Sequence, residues 1–101
     1  MEELVYAGTE VEELIRKKYP GAVLKDASDY IHTERFELTI PEVTQDEFYP
    51  FAIKEGFAEC CFGFALMLAS LKFPEFKDGR LKHEDTSAKI QKWIDLAKGL
   101  A

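Results

Sequence analysis

Hydrophobic residues recur at helical spacing close to both ends of the chain. Thr9 and Glu12 have the spacing of an N-terminal capping box, and Pro20 follows as a stop signal. These signals predict a helix over residues 10–19, whose apolar face consists of Val11, Leu14, Ile15 and Tyr19. A second helix is predicted from about Ser87 to Lys98, capped by Asp85 or Thr86, and its apolar face consists of Ile90, Trp93, Ile94, Ala97 and Leu100.

An alternating pattern follows the first predicted helix. Over residues 30–40 every second side chain falls on one face. In the second half of this run that face is apolar and consists of Phe36, Leu38 and Ile40. The short apolar run 22–26 comes before it, and the turn-prone residues 26–29 separate the two. We expect the two runs to pair as an antiparallel hairpin that ends at Pro41.

The middle of the chain is helical in composition. Thr44 and Glu47 form a second capping box, and Pro50 predicts a kink or a new segment. The sequence from Phe51 to Phe73 then continues as helix, with Gly56 and Gly63 as weak points. Residues 57–71 are the most apolar window, since 12 of these 15 residues are apolar. A helix that is apolar on every side must be enclosed on every side.

These elements predict one α+β domain over residues 1–101. Its sheet is a two-stranded antiparallel hairpin packed by about four helices, in the order α-β-β-α-α-α. A short connection with an Asp78-Gly79 turn separates the last two helices. An isolated two-stranded hairpin is marginal in water, so covering helices or a second copy of the chain must complete it.

The charge balance is acidic and uneven. The chain carries 13 basic and 19 acidic side chains, a net charge of −6. Residues 1–55 hold 13 acidic and 6 basic side chains (−7), whereas residues 56–101 hold 6 acidic and 7 basic (+1). Phosphate is repelled by such a surface, so nucleic acid is not an expected partner. The acidic N-terminal half is either a solvated face or a contact for a basic protein.

The composition also predicts the compartment. The acidic start of the chain lacks the basic and apolar regions of a signal peptide, and the window 57–71 is too short to span a bilayer. Cys60 and Cys61 are adjacent, and vicinal disulfides are strained. We therefore expect a cytoplasmic protein with reduced thiols and no membrane partner.

Candidate polar chemistry is sparse. Tyr30, His32 and Glu34 share one face of the predicted strand. His32 and Glu34 would form a polar dyad next to Tyr30, or the three residues would simply form a partly exposed strand surface. One histidine and one carboxylate are too few for a metal site, so no metal is expected. The six glycines are dispersed and form no phosphate-binding loop, so no nucleotide cofactor is expected.

The apolar window 57–71 offers the strongest candidates. Glu59 would be costly inside it unless the residue lies in a first helical turn or is a carboxylate of raised pKa. Phe57, Phe64 and Leu68 are the candidates for a dimer or partner interface, the alternative being that the whole helix is core.

The sequence thus favours a binding or regulatory module that acts through protein contact, as a homodimer and without catalysis. One alternative is a small-ligand binder or cofactor-free enzyme, with a pocket between hairpin and central helix lined by Tyr30, His32, Glu34 and Glu59. The other is an acidic inhibitor of a basic protein.

Overall fold

The computed structural model describes residues 1–28, 34–72 and 83–100. Three strands and four α-helices form this part of the chain. In chain order they are β1 (Glu2–Val5), α1 (Thr9–Lys18), β2 (Val23–Asp26), β3 (Phe36–Thr39), α2 (Gln45–Glu55), α3 (Phe62–Lys72) and α4 (His83–Lys98), with a 3-10 turn (Ala58–Cys60) between α2 and α3. The α+β class is therefore confirmed.

The sheet has three antiparallel strands in the order β1-β3-β2, so the prediction of a two-stranded hairpin is wrong. The predicted pairing of β2 with β3 is present, with Leu24 opposite Leu38. The missed strand is β1, which adds to the free edge of β3 and places Val5 opposite Phe36. Two consecutive glutamates hide this strand in the sequence, because its single fully buried side chain is Val5.

The two N-terminal helix signals differ in accuracy. α1 begins at Thr9, and the preceding Gly8 is its N-cap, so Thr9 is the first helical residue instead of the cap. α2 does follow Thr44 as its N-cap, although no side-chain hydrogen bond closes a capping box there. α2 continues through Pro50, which lies in its second turn and is buried.

The long central helix of the prediction is divided into α2, the 3-10 turn and α3. Gly56 ends α2 in the left-handed conformation, with φ of 86°, and its amide donates to the carbonyl of Ile53 at 3.1 Å. A glycine adopts this conformation without steric cost, so it terminates the helix. Gly63, the other predicted weak point, lies inside α3.

An aromatic cluster joins the helices to the inner face of the sheet. The rings of Phe48, Phe51 and Phe57 lie 5.6 to 6.2 Å apart, in edge or tilted arrangements that aromatic pairs favour. Phe36 and Leu38 complete this core from β3.

α4 packs along α2, with Ile90, Trp93 and Ala97 buried, so most of its predicted apolar face is confirmed. The helix begins at His83, earlier than the predicted cap at Asp85 or Thr86. Thr86 is a buried helical residue. The predicted Asp78-Gly79 turn lies outside the described residues. Among the helices described, none has the length and hydrophobicity needed to cross a membrane.

Candidate functional site

The most apolar helix of the described chain, α3, is only partly buried. Of its 11 residues, Phe64 and Ser70 are buried, six are half-buried, and the exposed ones are Phe62, Leu66 and Lys72. Helices in globular proteins normally bury their apolar faces, and only short apolar patches stay exposed. The candidate functional site is therefore the surface of α3 together with the elements that hold this helix in place.

The carboxylate of Glu3 holds the N-terminal end of α3 against the sheet. By strand register Glu3 is opposite Leu38, so its side chain leaves β1 on the inner face. One carboxylate oxygen accepts a hydrogen bond from the amide of Gly63 at 3.0 Å, and the other accepts one from the hydroxyl of Tyr49. A carboxylate at this position also complements the positive end of the helix dipole.

Backbone contacts add a second attachment at the same end. Val5 forms an antiparallel bridge with Cys61, and the amide of Tyr6 donates to the carbonyl of Cys60 at 2.8 Å. The segment that leads into α3 therefore extends the edge of β1 by one bridge. The direction of α3 relative to the sheet is fixed by backbone and side-chain hydrogen bonds together.

The inner side of α3 packs on an aromatic pair. The ring of Phe64 lies 5.5 Å from that of Tyr49 and 6.1 Å from that of Trp93. Trp93 is anchored in turn, because its indole N–H donates to Asp46 at 2.8 Å. This bond, followed by the bond from Lys92, holds the pKa of Asp46 below its ordinary value.

Two groups beside this contact are kept in their neutral forms. Burial, and then the hydrogen bond to Glu3, raise the pKa of the Tyr49 hydroxyl. Burial, and then the charge of Glu3, also raise the pKa of the Cys61 thiol. A thiol of raised pKa is a poor nucleophile, so Cys61 acts as a packed apolar residue.

The outer side of α3 carries an apolar stripe of four residues. Phe62 and Leu66 are 45% and 48% exposed, and Ala65 and Ala69 are half-buried beside them. Their spacing of i, i+3, i+4 and i+7 places all four on one face of the helix. We call this set, Phe62, Ala65, Leu66 and Ala69, the outer stripe. Tyr6, which is 38% exposed, extends it through a ring contact of 6.4 Å with Phe62.

An apolar groove lies between α3, α4 and the end of α2, on the side of α3 that carries Phe64 and Leu68. It encloses about 410 Å³. Leu68 and Phe64 form one wall, and Glu59 lies at its lip. The remaining wall residues are Ile53, Gly56, Ala58, Ile90 and Ile94.

Of the four residues predicted to share a ligand pocket, the two that the structure describes, Glu34 and Glu59, line different clefts. Tyr30 and His32 lie outside the described residues. Glu34 is exposed beside Gly8, in a small cleft at the start of α1. Glu59 is exposed in the 3-10 turn and lines the apolar groove instead. Its presence in an apolar window is explained by this exposure in a first helical turn.

The three predicted interface residues take inner positions. Phe57 and Phe64 are buried in the core, and Leu68 is half-buried in the groove. The prediction treated residues 57–71 as one helix, but the 3-10 turn breaks the helical phase between Phe57 and Phe64. The exposed large residues of α3 are Phe62 and Leu66. A helix that is apolar all round gives no sequence signal that would identify them.

A cleft of about 530 Å³ lies between the sheet and α3. One of the alternatives drawn from the sequence places a ligand pocket between these two elements. The polar lining of the cleft includes Glu3 and Tyr49, whose side chains bond each other. Glu3 and Tyr49 thus already have hydrogen-bond partners within the protein, since Glu3 also accepts from the amide of Gly63. Within residues 1–28, 34–72 and 83–100, no group of three or more His, Cys, Asp or Glu side chains is placed to hold a metal ion.

Comparison with known protein families, curated proteins and solved structures finds no match for this chain.

Proposed function

We propose that this chain is a small acidic interaction module of the cytosol that works as a homodimer, with the outer stripe of α3 as the contact surface. The module acts through protein contact and not through catalysis. Adjacent cysteines, one of them buried, suit the reducing compartment that this proposal includes.

The observation that carries the proposal is the exposure of Phe62 and Leu66 on a helix that is apolar all round. Large aromatic and aliphatic side chains are enriched at the buried centres of protein interfaces. Their removal from water stabilises an association by about 25 cal/mol per Å² of apolar surface, before the entropic cost of association.

Charge favours a second copy of the chain on this surface. Each chain has a net charge of −6, so two copies repel each other through most orientations. The outer stripe contains no ionisable side chain, and it belongs to the half of the sequence that is close to neutral. Two acidic chains therefore approach at least electrostatic cost through this face.

A matched pair of variants tests the proposal. Leu66→Glu places a charge in the outer stripe, whereas Leu96→Glu makes the same change at a residue of α4 that is 45% exposed. Molar mass is measured by light scattering at micromolar concentration. We expect the wild type and Leu96→Glu to be dimers and Leu66→Glu to be a monomer of 11.6 kDa.

A wild type that stays monomeric up to millimolar concentration would overturn the proposal. Dimers of both variants, with the affinity of the wild type, would overturn the choice of surface. Circular dichroism of each variant shows whether the monomer fold is retained.

A further inference from the structure

The outer stripe is self-complementary in one particular arrangement. A two-fold axis that passes between Ala65 and Leu66 relates positions that are equally far from this point in the sequence. Such an axis places Leu66 against Ala65 of the second copy. It also places Phe62 against Ala69 of the second copy. Each large exposed side chain then meets a small one, which is the condition for close packing between helices.

The same arrangement is antiparallel, and the charges at the two ends of α3 fit it. Glu59 is exposed just before α3, at the lip of the groove. Lys72 is exposed at the other end; it follows Ala65 by seven positions and Leu68 by four, so it lies where the edge of the outer stripe borders the groove side of the helix. A two-fold axis perpendicular to both helices brings this side of one α3 against the same side of the other.

We infer that α3 pairs with α3 of a second copy in antiparallel orientation, with Lys72 of each chain facing Glu59 of the other. This inference rests on the proposed homodimer and specifies its geometry. The two ion pairs lie at opposite ends of the outer stripe and fix its register. Antiparallel helices also place the positive end of each helix dipole beside the negative end of the other.

Charge reversal tests the orientation without touching the apolar contact. Lys72→Glu sets two carboxylates against each other at both ends of its homodimer, and Glu59→Lys sets two ammonium groups there. We expect each single variant to dissociate about tenfold more readily than the wild type, since exposed pairs contribute modestly and are replaced by repulsion.

Mixing the two variants is the decisive step. In a heterodimer of Lys72→Glu with Glu59→Lys, both ends again hold opposite charges. We expect the mixture to form heterodimers with an affinity within about threefold of the wild type. The double variant Lys72→Glu/Glu59→Lys restores the homodimer in the same way. A loss of helix stability in a single variant cannot produce this rescue, because mixing does not repair a monomer.

The outcomes separate this inference from the proposed function. A monomeric wild type overturns both. A dimer that Leu66→Glu disrupts, but whose charge variants show no rescue on mixing, overturns the antiparallel pairing and leaves the dimer surface in place. Rescue on mixing supports both.

Discussion

The carboxylate of Glu3 accepts a hydrogen bond of 3.0 Å from the amide of Gly63, which lies 60 positions later in the chain. This bond joins the first strand to the first turn of α3, and the hydroxyl of Tyr49 completes it from α2. One carboxylate therefore joins β1 to α2 and α3, two helices that lie more than 40 positions later in the chain. Phe62 and Leu66 of the outer stripe stay exposed on a helix held in this way, and Phe62 also borders the cleft between α3 and the sheet.

Replacing Glu3 tests this attachment. Glu3→Ala removes the acceptor of two hydrogen bonds and leaves the buried Tyr49 hydroxyl without this partner. We expect the free energy of unfolding to fall by about 2–4 kcal/mol, measured by urea denaturation. Glu2→Ala, at the exposed neighbouring position, should change it by less than about 0.5 kcal/mol. Equal effects of the two substitutions would contradict the assigned role of Glu3.

Gly63 is required by the close approach of α3 to the same group. A methyl group on Gly63 would stand 2.6 Å from the Tyr49 oxygen and 3.1 Å from the Glu3 carboxylate. Alanine is favoured over glycine in helices by about 1 kcal/mol, yet we expect Gly63→Ala to destabilise by about 1–3 kcal/mol because of this overlap. Gly21→Ala, where a methyl group meets nothing within 4 Å, is the control. A stabilised Gly63→Ala variant would show that α3 is free to shift.

Asp46 makes the packing of α4 on α2 sensitive to acid. Its pKa is held below the ordinary carboxyl value by the Trp93 indole and then by Lys92. A lowered folded-state pKa gives stability that is complete above the unfolded value of about 4 and is lost as the pH falls through the folded one. We expect Asp46→Asn to weaken this acid dependence below about pH 4. Fluorescence of Trp93, the single tryptophan, reports the transition, with Asp95→Asn as the control. An unchanged pH profile in Asp46→Asn would contradict the assignment.

The two cysteines should differ in reactivity although they are adjacent. Cys61 is fully buried with a raised pKa, whereas Cys60 is half-buried. At pH 8 we expect an alkylating reagent to modify Cys60 in the native protein and Cys61 only after denaturation, as mass spectrometry of peptides would show. Native labelling of Cys61 as fast as that of Cys60 would contradict the packing of the 3-10 turn against β1.

The sequence predicts the elements whose signals are local. The apolar face of α1 and the alternation through Phe36 and Leu38 follow from spacing, whereas Gly56 is predicted only as a weak point and in fact ends α2. β1 could not be recognised in this way, because it pairs with β3, which is far from it in sequence. Its two glutamates are also typical of an exposed terminal segment instead of a strand. Glu3 binds the start of α3 only after both elements are placed by the fold.

The exposed face of α3 likewise could not be identified from local sequence signals. An apolar window predicts that residues 57–71 are buried or bound, but it contains no polar side that would mark the outward face. The choice of Phe57 assumed one continuous helix, and the turn at Ala58–Cys60 rotates Phe57 into the core. The apolar neighbours of Glu59 mark it as unusual in the sequence. The proposed contact of Lys72, by contrast, follows only from the direction of α3 in the fold.

Isotope-filtered nuclear Overhauser spectroscopy tests the central claim most directly. Labelled and unlabelled chains are mixed, and only contacts between different copies give cross-peaks. We predict cross-peaks from the Phe62 ring of one copy to the Ala69 methyl group of the other, and from the Leu66 methyl groups to that of Ala65. A filtered spectrum at millimolar concentration without any cross-peak from α3 would contradict the homodimer through the outer stripe.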